Sequence, residues 1–93
     1  MRRVVITGFG IVSCIGNNKK EVLDSLLNTK SGIVFSEEHK KYNFRSHVIG
    51  SVKNLNLSEH IDRKQLRFMG DGSAYSFIAL KEAIKESGLE EKD

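Results

Sequence analysis

The sequence predicts an α/β fold that these 93 residues begin and do not complete. Three observations lead there. A short β-branched run, Val4-Val5-Ile6-Thr7, is apolar on both faces. A glycine-rich turn follows it directly. Two amphipathic helical patterns with capping signals come after. A strand apolar on both faces needs neighbours on each edge and layers above and below. One such strand with two helices cannot close a sheet. The expectation is a buried strand with covering helices, incomplete, and unstable or aggregation-prone as an isolated chain.

Taken in order, the strand at Val4–Thr7 ends at Gly8. Gly8, Gly10 and Gly16, set among apolar residues, predict a buried, tightly turning connection. A helix then starts at Asn18, which stands three residues before Glu21 at capping-box spacing. Val22, Leu23, Leu26 and Leu27 form its apolar stripe, and residues 28–32 end it. Residues 33–61 are polar and irregular, with a short strand plausible at Val48–Val52 and no signal over Ser36–Phe44. The second helix is the best marked. Asp62 and Gln65 have capping-box spacing, and Ile61 and Leu66 occupy hydrophobic-staple positions. The pattern predicts one helix to Ser87, closed by a left-handed Gly88 with Leu89 folding back. Its apolar face is Phe77, Leu80 and Ile84, widened by Ala74 and Ile78. Gly70 and Gly72 are unexpected there, because each costs about 1 kcal/mol against alanine in a helix interior. They imply local strain or a close neighbour.

Composition narrows the function classes. Net charge is +3, hydrophobic residues make up 39% and charged residues 29%. That is too little clustered charge for a nucleic-acid protein. One cysteine, Cys14, rules out an internal disulfide and any multi-cysteine zinc site, and it fits a reducing compartment. No apolar run approaches membrane-span length. Ile11-Val12-Ser13-Cys14 has the look of a lipoprotein cleavage box, but Gly8 and Gly10 interrupt the preceding apolar stretch.

Gly8-Phe9-Gly10 after a strand invites a dinucleotide reading. The third glycine is missing, the helix starts well beyond Gly10, and no acidic residue ends a second strand. A structural turn is the better account. Cys14 as a nucleophile would need a base beside it, and sequence places none of His39, His47 or His60 there. A small buried hydrophobe is the commoner role. The three histidines lack ligand spacing, so no metal site is expected.

Arg63, Lys64 and Arg67 are more informative. Positions three and four apart share a helix face, which clusters all three at the start of the second helix. That end repels cations, so an anionic partner would offset the cost. A solvated face partly neutralised by Asp62 and Glu59 is the competing account.

These residues also carry a resemblance. The stretch from Arg3 through Val4-Val5-Ile6-Thr7-Gly8-Phe9-Gly10-Ile11-Val12 to Ser13, then Ile15-Gly16-Asn17-Asn18, resembles the start of the β-ketoacyl-acyl-carrier-protein synthases. Glu21-Val22-Leu23, Ser31-Gly32-Ile33 and Arg45-Ser46-His47-Val48 are most similar to the type I bacterial enzymes, as is Ile61-Asp62-Arg63-Lys64 with Arg67-Phe68-Met69. The resemblance implies the N-terminal part of a thiolase-like fold, with residues 1–93 one segment of the synthase domain and no internal boundary. It implies a cytoplasmic homodimer in fatty-acid synthesis, with no cofactor, no nucleic acid and no membrane. Such enzymes condense an acyl thioester with malonyl carrier protein, using a cysteine nucleophile and two histidines. Those catalytic residues lie beyond Asp93, and neither Cys14 nor the three histidines match them. In the type I enzymes the segment matching Arg63, Lys64 and Arg67 docks the acidic acyl carrier protein. Gly70 and Gly72 depart from the small non-glycine residues usual there. Two other readings stay open: an inactive remnant that at most binds carrier protein, and a small nucleotide-binding module built on Gly8–Gly10.

Overall fold

The computed structural model describes residues 1–92. Its regular elements are α1 (Lys19–Leu27), β1 (Ile33–Phe35), α2 (Glu37–Lys41), β2 (Val48–Gly50), a 3₁₀ turn at Leu57–Glu59, α3 (Arg63–Leu66) and α4 (Asp71–Ser87). Helices plus one two-stranded sheet make the content α/β. Among the described residues no helix is long and apolar enough to cross a membrane. The chain divides into two compact units, residues 13–55 and residues 1–12 with 56–92.

In the unit of residues 13–55, Ser13 and Gly16 close a tight turn through two backbone hydrogen bonds, Ser13 N–H to Gly16 O at 2.8 Å and the reverse at 3.3 Å. Asn18 caps α1 as expected, its side-chain oxygen accepting from the Glu21 N–H at 2.9 Å. Glu21 reaches back to accept from the Asn17 N–H at 3.2 Å. Both interactions satisfy donors that a helix start leaves unpaired. The expected apolar stripe is only partly used. Val22 is buried, while Leu23, Leu26 and Leu27 are exposed. Ser25 is buried beside Val22 and donates its hydroxyl to Ile15 O at 2.6 Å.

β1 and β2 pair antiparallel in the register Ile33↔Gly50, Val34↔Ile49, Phe35↔Val48. The strand expected at Val48–Val52 therefore exists, ending at Gly50. Its partner and the intervening α2 were not expected. α2 has a legible cause in retrospect. Ser36 accepts from the His39 N–H at 3.2 Å, Glu37 and Glu38 open the helix, and His39, Lys40 and Lys41 close it. That order suits the helix dipole at both ends.

In the other unit, the buried strand expected at Val4–Thr7 is absent. Residues 1–12 have no regular structure, and Val4 (93%), Val5 (71%) and Ile6 (88%) are exposed. A strand exists only where another strand supplies hydrogen-bond partners. The single sheet among the described residues is β1 with β2.

What holds the end of this segment is a helix backbone. A Cβ on Gly8 would collide with the Ala83 carbonyl oxygen and lie 2.8 Å from the Ser87 nitrogen. A Cβ on Gly10 would collide with the Ala79 carbonyl. As the chain advances from Gly8 to Gly10, its contacts on α4 step back from Ala83 to Ala79. Two extended residues span about 6.6 Å and four helical residues about 6 Å, so the segment tracks α4 in antiparallel sense. Ala79, Ala83 and Ser87 form the small-residue row that admits it. The Phe9 N–H adds a bond to Glu86 Oε2 at 3.3 Å.

The single helix expected from Asp62 to Ser87 is two helices. α3 lasts one turn, then the Phe68 and Met69 N–H groups bond back to Gln65 and Leu66 O, each at 3.1 Å. Gly70, extended at φ −77° and ψ 171°, starts α4. Asp62 makes no side-chain cap bond, so the capping box at Asp62 and Gln65 is not formed. Gly70 and Gly72 are thus at a helix start, where their cost is small, and no atom lies within 4 Å of a Cβ built on either. Neither strain nor a close neighbour accounts for them. Gly88 does adopt the left-handed C-cap, φ +72°. Leu89 remains exposed. The buried face of α4 is Ala74 and Ile78, with Leu80 and Ile84 exposed, and Ile61 is buried at 3%.

Candidate functional site

The best-defined candidate is the basic turn at Asp62–Phe68. Arg63 and Lys64 lie on α3, and Arg67 is its C-cap, with its N–H bonded to Arg63 O at 3.3 Å. The three cations and Asp62 line one open groove. All four residues are exposed. The cluster expected from spacing is therefore present, but its stated cause needs correction. The cations do not load the start of a long helix. They flank a single turn, whose dipole is slight.

The neutralisation offered as the competing account is not made by contact. Among the described residues Arg63, Lys64 and Arg67 form no ion pair within 4 Å. Glu59 is occupied by Asn56 Nδ2 at 3.5 Å. Three unpaired cations against one carboxylate leave the groove positive, and solvent-exposed charges of this kind act by attracting and orienting an acidic surface. Phe68 follows Arg67 directly and is 90% exposed.

Cys14 sits elsewhere, in the unit of residues 13–55. It is half-buried and free. A Cβ on Gly32 would lie 2.7 Å from Cys14 Sγ, and one on Gly50 3.1 Å from it. The thiol thus packs against two glycine backbones as a small apolar group. His39 tilts onto Phe44 at 4.7 Å between ring centres, and His47 meets Phe35 edge-on at 6.0 Å. Both rings are part of the packing around α2 and the hairpin. No group of three or more His, Cys, Asp or Glu side chains among the described residues could hold a metal. Gly8 and Gly10 lie along the side of α4, against its carbonyls, and not at a helix N-terminus where a pyrophosphate would be held.

Comparison with known proteins adds the wider context. The family model described as the β-ketoacyl synthase N-terminal domain matches residues 1–93. The chain is 60% identical over 91 residues to 3-oxoacyl-[acyl-carrier-protein] synthase 1 of Haemophilus influenzae, covering 98% of this chain and 22% of that protein. It is 55% identical over 89 residues to the synthase 1 of Escherichia coli K12, covering 96% and 22%. The synthase 2 of Staphylococcus aureus N315 is more distant, 36% identical over 92 residues, covering 99% and 22%. The chain thus spans under a quarter of the length of the curated relatives it matches.

Proposed function

The chain belongs to the family of the β-ketoacyl synthase N-terminal domain, and from that membership we propose that it is part of a fatty-acid condensing enzyme of the type 1 class. The observation that carries the proposal is identity of 55–60% to two synthase 1 proteins, against 36% to a synthase 2. The reaction joins an acyl thioester to malonyl-acyl-carrier-protein. The malonyl carboxylate leaves as carbon dioxide, and its bonding electrons form the new carbon–carbon bond to the acyl carbonyl. The enzyme's thiolate departs, leaving 3-oxoacyl-acyl-carrier-protein. The full-length enzyme has a thiolase-like fold, acts as a homodimer and works in the cytoplasm. No catalytic role falls to Cys14, His39, His47 or His60, and these 93 residues alone do not condense.

Arg63, Lys64 and Arg67 dock the acidic acyl carrier protein. Their support is the open groove, the absence of ion pairs among the described residues, and the match of this segment to the type I pattern. Docking of this kind sets encounter rate and orientation more than chemistry. The full-length protein, given acyl- and malonyl-acyl-carrier-protein, is expected to release carbon dioxide and form 3-oxoacyl-acyl-carrier-protein. Absence of that product would refute the activity. Arg63→Glu with Lys64→Glu is expected to weaken carrier-protein binding at least 10-fold at low salt while leaving acylation of the nucleophile by a small thioester unchanged. Unaltered binding would remove the docking role.

A further inference from the structure

We draw no further inference here: the strongest candidate, the small cavity at the start of α1 lined by Ser13, Cys14, Asn17, Lys53 and Asn54, where Asn17 Oδ1 is buried without a hydrogen-bond partner, carries nothing, because Asn17 as a whole is only half-buried and no second feature there points to a ligand.

Discussion

Val4–Thr7 and Val48–Gly50 are both β-branched apolar segments, and they meet opposite fates. The first has the stronger strand signature and forms no strand. The second is weaker, sits in a polar stretch, and pairs residue for residue with Ile33–Phe35. The difference is a partner within reach. Between β1 and β2 lies one short helix and its turns, so closing that loop costs little entropy. Ser36 extends the pairing by donating its N–H to His47 O at 2.6 Å. Val4–Thr7 has no second strand among the described residues to meet. Intrinsic β preference describes a side chain suited to a half-buried pleated surface, and it does not supply the surface.

The same contrast separates the means by which the units are held. The chain around Gly8 and Gly10 is fixed by steric fit to a helix backbone, and residues 13–55 by local hydrogen bonds and caps. Gly10→Val in the full-length protein should produce the largest effect. The new side chain meets the Ala79 carbonyl, which belongs to the backbone and cannot swing away, so a loss of about 3 kcal/mol or more is expected. Thermal unfolding and soluble yield would report it, and a wild-type midpoint would break the steric account. Asn18→Ala should do less, about 1 kcal/mol, because it removes one cap bond and leaves the donor open to water. A thermal midpoint shift as large as that of Gly10→Val would show that the cap, and not the steric fit, dominates.

These outcomes also mark what the sequence made legible. Local signals translated well. The Asn18 cap, the left-handed Gly88 and the β2 strand are all present, since each depends on residues within a few positions. The α4 break was misread, because a capping signal at Asp62 and a long periodic pattern outweighed two glycines that were themselves the boundary. The reason for Gly8 and Gly10 was hidden until they were placed against Ala79, Ala83 and Ser87, about seventy residues away in sequence, although the four-residue spacing of that small row was there to be seen. The basic cluster was legible as a cluster. Its separation from a long helix, its lack of ion pairs among the described residues and the exposure of Phe68 were not, because each depends on where the chain turns.

The most direct test of the central claim, that Val4–Thr7 forms a strand only where a second strand supplies its hydrogen-bond partners, is amide hydrogen exchange on this chain alone and on the full-length protein. Residues 4–7 should exchange freely in the short chain and become among the most protected amides in the full-length protein, as a central strand does. Strong protection of residues 4–7 in the short chain, or free exchange there in the full-length protein, would contradict it.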